Sequence, residues 1–347
     1  MAAWTNPRFR TACAGVPLAL LSTACTAAGT KFRHGDWTLT CNNTGACFAE
    51  GYNDESADPN AVSVLLSRAA GPQAPVDAQV HFGSIDRDAP FPSGPVRLTI
   101  AGRAVGTAVD GNHLSAVQVA ALIKALAGTG EVRFGAGENR WRLSGNGATA
   151  VLLKMDDVQR RIGTPGALVK KGAKPESSVP GPVRPPVIQA VRMAPSRPED
   201  EPLARAVLAS REGDDCPEAD DAERAAQYHD DGMPTLWRLG GGRVLVSRWC
   251  FRGRYNEGTG FWIASDQPPY DPKLVTDIAT EFQPDEGQLV SWMKGRGIGD
   301  CYGGSTWTWD GRDFVLTLES TTGECRGVDA GGSWNLPTLV YEVRKPR

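Results

Sequence analysis

The sequence predicts an α+β protein, mainly antiparallel β, with two small domains joined by a Pro-rich linker and stapled by disulfides. The 40 glycines and 25 prolines among 347 residues are more than a helical bundle usually holds. Short runs of alternating apolar and polar residues, separated by turn residues, outnumber runs with helical periodicity. Six cysteines follow the N-terminal 28 residues, and an even number in an exported chain indicates a disulfide framework.

The first 28 residues predict a secretory signal peptide. Arg8 and Arg10 supply positive charge, and a short apolar stretch followed by small residues completes the pattern of an export signal. Cys25, after Leu-Leu-Ser-Thr-Ala, resembles the acylated cysteine of bacterial lipoproteins, and in that case the leader is 1–24. Both cleavage sites stay open. We therefore expect the protein in the periplasm, either soluble or anchored to the outer membrane through Cys25.

Residues 31–170 predict an N-terminal domain that begins as an antiparallel sheet. Alternating apolar residues on both sides of an Asn-Asn-Thr-Gly turn indicate a hairpin between Trp37 and Tyr52. Cys41 and Cys47 would clamp this hairpin near its turn. Further strands are expected at 62–66, 78–82, 95–100, 131–134 and 140–144.

Two helices are expected late in this domain. Ser115 and Gln118 have the spacing of a capping box in front of an apolar stripe with helical period. A second helix is expected from about Ala148, with Asp156 and Asp157 on its solvated face. The residues of this helix expected to face inward are Val151, Met155, Val158 and Ile162.

The stretch 171–202 predicts the linker. Eight of the 25 prolines lie between residues 170 and 202, and proline removes backbone donors and restricts the residue before it. Such a segment is expected to be an extended spacer rather than part of a packed core.

Residues 203–347 predict a Trp-rich C-terminal β domain. Helical segments are expected around 203–211 and 218–228, followed by strand-like runs at 243–250, 260–265, 305–310, 313–320 and 338–343. Asp310 and Gly311 predict a tight hairpin of type I′, in which both central residues have positive φ. The domain is expected to be an antiparallel roll or an open barrel.

The six cysteines allow many pairings, which sequence alone does not rank. Proximity along the chain suggests Cys41–Cys47, Cys216–Cys250 and Cys301–Cys325. There is no CxxC motif and no histidine at zinc-ligand spacing from a cysteine pair, so no metal site and no cofactor is expected.

Composition and motifs also narrow the classes of partner. A formal net charge of −3 without a long basic run argues against a nucleic-acid partner. No apolar run reaches the roughly 18 residues that a transmembrane helix needs. Nucleophile-elbow, HExxH, Walker and EF-hand motifs are missing from the sequence, so no catalytic residue is predicted.

Two groups of residues are candidates for binding. The Gly-rich segment 294–301, with Arg296 and Asp300, either cradles an anion or makes a tight turn before Cys301. Trp307 and Trp309 lie on one face of a strand because side chains alternate. They either stack on sugar rings or belong to the core.

Several segments together resemble the bacterial family called domain of unknown function 1176. They are DWTLTC…CFAEGY, WRLSGNGATAVLLKMDDVQRRIG, WCFRGRYNEG and KGRGIGDCYGGSTWTWDGRDFVLT. The resemblance covers nearly all of the mature chain. The first domain is also similar to invasion-associated locus B proteins, which share the paired-cysteine strands. The resemblance implies an exported envelope protein and supplies no catalytic residues.

Three functions are compatible with these observations. The first is a non-enzymatic protein that binds an envelope component or another protein. The second is an enzyme that acts on envelope polymers, with a site near Arg254, Tyr255, Asn256, Glu257 and Asp300. The third is an inhibitor of lysozyme or of a protease. A cleft that gathers Glu257, Arg296 and Asp300 would favour the enzyme, and an exposed tryptophan face would favour binding.

Overall fold

The computed structural model describes residues 29–57, 60–83, 85, 91–108, 112–213, 215–216 and 234–346. The predicted leader, Cys25 and the helical segment expected at 218–228 lie outside the described residues. In the N-terminal part (29–170) the strands are β1 (Thr30–His34), β2 (Trp37–Cys41), β3 (Cys47–Tyr52), β4 (Val62–Arg68), β5 (Val76–Phe82), β6 (Arg97–Ile100), β7 (Arg103–Thr107), β8 (Val132–Ala136) and β9 (Asn139–Leu143), and the helices are α1 (Ala116–Leu126) and α2 (Ala148–Val158).

The remaining elements follow in chain order. Short 3-10 helices occur at Glu176–Ser178 and Pro198–Asp200, strand β10 spans Val187–Gln189, and helix α3 spans Glu201–Ala209. The strands of the C-terminal part (203–346) are β11 (Thr235–Gly240), β12 (Arg243–Arg252), β13 (Glu257–Ser265), β14 (Lys273–Ala279), β15 (Glu281–Gln283), β16 (Gln288–Lys294), β17 (Tyr302–Trp309), β18 (Phe314–Thr321), β19 (Leu336–Val340) and β20 (Glu342–Arg344).

Two antiparallel sheets and two helices build the N-terminal part. Strands β1 to β5 form a meander in chain order, and the second sheet has the order β7-β6-β8-β9. Alternate residues of both sheets face one apolar core, in which Phe82 contacts Phe134 and Trp141 with ring centroids 5.8 and 4.6 Å apart. Helices α1 and α2 pack their apolar stripes against the same core. The prediction of a mainly antiparallel α+β fold is therefore confirmed.

The local helix signals meet different outcomes. The capping box is present, because the Ser115 Oγ accepts from the Gln118 amide and the Gln118 side chain accepts from the Ser115 amide. The prediction for α2 is wrong at two residues. The helix ends at Val158, so Ile162 lies beyond it and is exposed. Asp156, expected on the solvated face, is fully buried because its carboxylate caps a distant loop.

Two further antiparallel sheets form the C-terminal part, with the orders β11-β12-β13-β14 and β15-β16-β17-β18-β19. We call the second of these the C-terminal sheet. Helix α3 packs on β11 and β12, in agreement with the helix expected at 203–211. The hairpin at Asp310 forms, but it is not the expected type I′ turn. Only Gly311 has a positive φ, and the Asp310 carboxylate instead accepts from the amides of Arg312 and Asp313, both at 2.7 Å.

The proline-rich stretch is extended, but it lies on the rest of the molecule. Val179, Ile188 and Met193 are buried, and β10 pairs in parallel with β20 near the C-terminus. The structure therefore does not confirm two domains separated by a free linker. The reason is that an extended chain can satisfy its backbone along a sheet edge while burying every few side chains.

A loop of the C-terminal part also binds the N-terminal part directly. We call this region the seam. The Trp334 Nε1 donates to the Ser63 Oγ at 2.8 Å, and the Arg326 guanidinium lies 3.2 Å from the Asp36 carboxylate. The Asn43 side chain exchanges two hydrogen bonds of 2.9 Å with the Val340 backbone. These contacts join sequence positions 271 to 297 residues apart.

The three cysteine pairs in the structure are those suggested by proximity, Cys41–Cys47, Cys216–Cys250 and Cys301–Cys325. The first closes the β2–β3 hairpin, where the two cysteines are direct cross-strand neighbours. In the part of the chain that the structure describes, no helix has the length and apolar character that crossing a membrane requires.

Candidate functional site

Two loops bring most of the predicted binding residues to one end of the C-terminal part. The first loop, between β12 and β13, holds Arg254, Tyr255 and Asn256. The second, between β16 and β17, holds Arg296 and Asp300. The Asn256 side chain joins them, because its Nδ2 donates to the Lys294 carbonyl at 3.0 Å and its Oδ1 accepts from the Lys294 amide at 2.9 Å.

Asp300 organises the second loop from a buried position. Its carboxylate accepts from the Arg296 guanidinium and from the Gly327 amide, the latter at 2.7 Å. Burial alone would raise the pKa of Asp300, but the hydrogen bonds from Arg296 and Gly327 outweigh it and lower that pKa. Asp300 is therefore an ionised, satisfied group that holds the loop in shape.

The donor atoms of Asp300, Cys301 and Cys325 lie within 4.8 Å of one another, a spacing that could suit a metal ion. Their chemistry does not fit one. The two sulfur atoms are joined in a disulfide, and the carboxylate oxygens are held by Arg296 and Gly327. Thiolate, not disulfide sulfur, is the metal ligand.

Glu257 does not join this group. Its carboxylate pairs with Arg252 at 3.4 Å, and both side chains are about half exposed. Among the described residues, the predicted acids thus occupy two separate ion pairs, Arg252–Glu257 and Arg296–Asp300. The structure does not gather Glu257, Arg296 and Asp300 into the arrangement that would favour an enzyme.

Trp307 and Trp309 share a face of β17, but that face points into the molecule. Trp309 is buried beside Phe314, with ring centroids 5.3 Å apart, and Trp307 packs partly buried against the same cluster. Their role is therefore in the core, and of the two alternatives for these residues the structure selects packing. Arg254 remains exposed on the first loop.

A partly exposed pair of aromatic residues lies on the opposite face of the same sheet. We call Trp292 and Tyr302 the aromatic platform: their rings are stacked, with centroids 5.4 Å apart and planes 15° from parallel. Trp292 is 43% exposed. Its indole lies flat over Gly304, directly opposite on β17, where an added Cβ would stand 2.2 Å from ring atom Cζ3. Glycine at 304 is thus required for the flat ring.

Lys294 flanks the platform, and Asn256 ties the loop that carries Tyr255 to the Lys294 backbone. Lys294 is the cross-strand neighbour of Tyr302. Tyr255 is 43% exposed and stands beside Gly297 on the second loop. The arrangement is a flat, exposed aromatic surface with polar groups at its rim, which suits an amphipathic ring better than a charged or purely apolar ligand.

Sequence reasoning missed Trp292 as a site residue, although the signal was present. In QLVSWMK, the residues Leu289, Ser291 and Met293 alternate toward the core, and this alternation turns Trp292 outward. The pair Trp307 and Trp309 drew attention because it repeats on one strand. Repetition on one face is, however, also the pattern of a buried strand.

A second group that sequence reasoning missed is buried at the seam. The Tyr52 hydroxyl donates to the Glu50 carboxyl at 2.8 Å and accepts from the Glu324 amide at 2.9 Å. Burial raises the pKa of Glu50 to about 8. Arg33 and Lys31 stand in the same open cavity of about 370 Å³, where Arg33 pairs with Glu324 at 3.1 Å.

The fold and this site define a disulfide-bonded, mainly antiparallel β protein with an exposed aromatic surface. The chain belongs to the family described as "Protein of unknown function (DUF1176)", whose model matches residues 31–341. It is 24% identical over 339 residues to the Uncharacterized protein YpfG of Escherichia coli (strain K12), covering 88% of this chain and 90% of that protein. No solved structure matches. The similarity to invasion-associated locus B proteins stays a prediction.

Proposed function

We propose that this protein is an exported cell-envelope protein that acts by binding, and that it holds an envelope glycan on the aromatic platform. Three disulfides support an oxidising compartment, where such bonds persist. The predicted signal at 1–28 supports the periplasm as that compartment. A mature chain that begins at acylated Cys25 would be anchored to the outer membrane, and one that begins after Ala28 would be soluble. Mass spectrometry of the mature N-terminus distinguishes the two.

The exposure of Trp292 is the observation that carries this proposal. Exposing a flat indole to water costs free energy, at about 25 cal/mol per Å² of apolar surface. The Trp292 ring nevertheless stays exposed, and Gly304 beneath it leaves room for the ring to lie flat on the sheet. A pyranose ring presents C–H groups on its flat faces and hydroxyls at its edge. The platform can pack against such a face while Lys294 and Tyr255 reach the hydroxyls.

Binding of isolated peptidoglycan sacculi and of N-acetylchitohexaose tests the proposal. We expect the parent protein to sediment with sacculi and to shift its tryptophan fluorescence on titration with the oligosaccharide. W292A should weaken binding at least tenfold. L274A, which shortens an exposed apolar side chain on β14, in the sheet β11-β12-β13-β14, is the matched control and should bind like the parent. Equal binding by W292A and the parent, or no binding by the parent, would contradict the proposal.

The two other functions suggested by the sequence receive no specific support from the described residues. An enzyme would need the candidate acids in one cleft, and they occupy separate ion pairs. An inhibitor would need a partner of defined shape, and no described loop indicates one. Of the three functions, glycan binding is therefore the one that the aromatic platform favours.

A further inference from the structure

A second surface, on the N-terminal part, concentrates arginines on one sheet face. The face belongs to the sheet β7-β6-β8-β9, whose other side is buried in the core through Leu98, Phe134 and Trp141. Cross-strand pairing arranges its residues in two adjacent rows. The first row is Arg97, Gly135 and Arg140, and the second is Thr99, Arg133 and Arg142.

The charge on this face is out of balance. Among the described carboxylates, Glu131 alone forms ion pairs here, with Arg133 at 2.9 Å and with Arg142 at 3.1 Å. Arg133 and Arg142 are direct cross-strand neighbours, and like charges in that position destabilise a sheet. Arg97 and Arg140, in the first row, form no ion pair with a described carboxylate, so this row carries positive charge that suits an anion.

Arginines elsewhere on the surface are arranged differently. Arg192 pairs with Asp285 at 3.5 Å, Arg252 with Glu257 at 3.4 Å and Arg312 with Asp313 at 3.4 Å. Each of these three arginines therefore has an acidic neighbour of its own. Arg97 and Arg140 have no such neighbour among the described carboxylates.

Strands β6, β8 and β9 also form a groove, which we call the arginine groove. It has a volume of about 480 Å³ and is lined by Arg97, Thr99, Arg133, Gly135 and Arg140. Gly135 forms the floor between two arginines, since it has no side chain to fill the space. Arg140 lies across that floor, within 3.3 Å of where a Cβ of residue 135 would be.

The Arg140 guanidinium is held in place before any ligand arrives. Its Nη1 donates to the carbonyls of Gly137 and Asn139, at 2.6 and 2.7 Å. The Gly137 carbonyl lies in the turn between β8 and β9 and Asn139 begins β9, so the side chain follows the sheet rather than extending into solvent. A guanidinium fixed in this way loses less conformational entropy when it binds an anion.

We propose that the arginine groove binds an acidic polysaccharide, a chain whose repeating sugars carry carboxylate groups. The planar fork of arginine matches a carboxylate with two parallel hydrogen bonds. Several guanidinium groups along a groove match a ligand that repeats its charge along a chain. A flat layer of lipid headgroups would meet the rim of the groove and not its glycine floor. The proposal does not depend on the aromatic platform, which lies on another sheet.

Binding of polygalacturonate, with neutral dextran as the uncharged comparison, tests this proposal. We expect the parent protein to bind polygalacturonate at low ionic strength and not to bind dextran. Most of the binding to polygalacturonate should be lost in about 0.5 M salt, because salt screens the charges. The variant R97Q/R140Q should bind about tenfold more weakly, because two charge-assisted contacts are removed. The control R192Q/R312Q removes the same charge elsewhere and should bind like the parent.

A third variant separates shape from charge. G135V fills the floor of the groove, where Arg140 lies 3.3 Å from the Cβ position. It should displace that side chain without removing charge and so weaken binding, while circular dichroism shows an unchanged fold. Equal losses in the two double variants would mean unspecific attraction and would overturn the proposal. So would binding to vesicles of phosphatidylglycerol without binding to polygalacturonate, which would indicate a membrane surface. W292A should bind polygalacturonate normally, so failure of the glycan-binding proposal and failure of this one are distinguishable.

Discussion

Asp156 and Asp157 are neighbours on α2 and have opposite roles. Asp157 is exposed and pairs with Lys154 at 2.7 Å. Asp156 is fully buried, and one of its oxygens accepts from the amides of Leu168 and Val169 at 2.7 and 3.1 Å. Its other oxygen lies 3.9 Å from the Arg68 guanidinium. One residue thus fixes the segment that leads into the proline-rich stretch.

Substitution of Asp156 should destabilise the protein where substitution of Asp157 does not. D156N removes one of the counter-charges of buried Arg68 and weakens the cap on the loop, at a cost of about 2–4 kcal/mol. D157N removes an exposed ion pair, which contributes less than about 1 kcal/mol. Thermal unfolding of the two variants measures the difference. Similar melting temperatures for both would show that the Asp156 cap contributes little.

At the scale of an element, β17 illustrates how one strand serves two surfaces. Trp307 and Trp309 face the core. Tyr302 and the glycine under Trp292 lie on the opposite face of the strand. The neighbouring residue Gly303 has nothing within 4 Å of an added Cβ. The two glycines therefore differ in what they allow, although neither needs a positive φ.

This difference predicts the behaviour of two matched variants. In G304A the new methyl group collides with the Trp292 indole and must displace it, which we expect to cost about 1–3 kcal/mol. Near-ultraviolet circular dichroism should report the loss of the Trp292–Tyr302 stack. G303A should keep both the signal and the stability of the parent. A normal aromatic signal in G304A would argue against the flat geometry of Trp292.

At the scale of the whole molecule, the seam makes the two parts dependent on each other. It contains the Tyr52–Glu324 hydrogen bond, the contact of Trp334 with His81 at a ring distance of 4.4 Å, and the His81–Asp329 hydrogen bond at 2.5 Å. The proline-rich stretch lies along both parts as well. Unfolding of one part should therefore expose buried groups of the other.

Glu50, inside the seam, should make stability depend on pH. Its pKa is raised from an ordinary 4.5 to about 8, so between these values the folded state holds a proton that the unfolded state releases. The free energy of unfolding should then fall as pH rises from about 4.5 to about 8, by up to about 1.4 kcal/mol per pH unit from this group. Above about pH 8 both states have released this proton, so Glu50 no longer changes the free energy of unfolding with pH.

Melting temperatures between pH 5 and pH 9 test this expectation. E50Q keeps an acceptor for the Tyr52 hydroxyl and has no charge to titrate, so it should show a flatter pH profile and exceed the parent in stability near pH 9. E55Q alters an exposed acid at the same seam, which pairs with Arg326 at 3.1 Å, and should keep the slope of the parent. Parallel profiles for parent and E50Q would contradict a protonated Glu50.

Several elements could be predicted from the sequence because their signals are local. Alternation predicted the β2–β3 hairpin, the spacing of Ser115 and Gln118 predicted the start of α1, and Asp310–Gly311 predicted a turn. These signals suffice because each depends on residues a few positions apart, whose geometry is set by the backbone. The binding candidates around Asn256 and Asp300 were also predicted, and the structure brings their two loops together.

Which side of each element meets solvent depends on contacts between distant parts of the chain, and these are visible only in the folded structure. Asp156 is buried because a loop twelve residues away needs a cap, and the proline-rich stretch is packed because a strand near the C-terminus accepts it. Trp292 is exposed because Trp307 and Trp309, on the opposite face of the same sheet, fill the core. Burial is a property of partners distant in sequence. Local sequence patterns do not predict which distant residues will pack against an element. The aromatic platform and the arginine groove are therefore visible only in the folded chain.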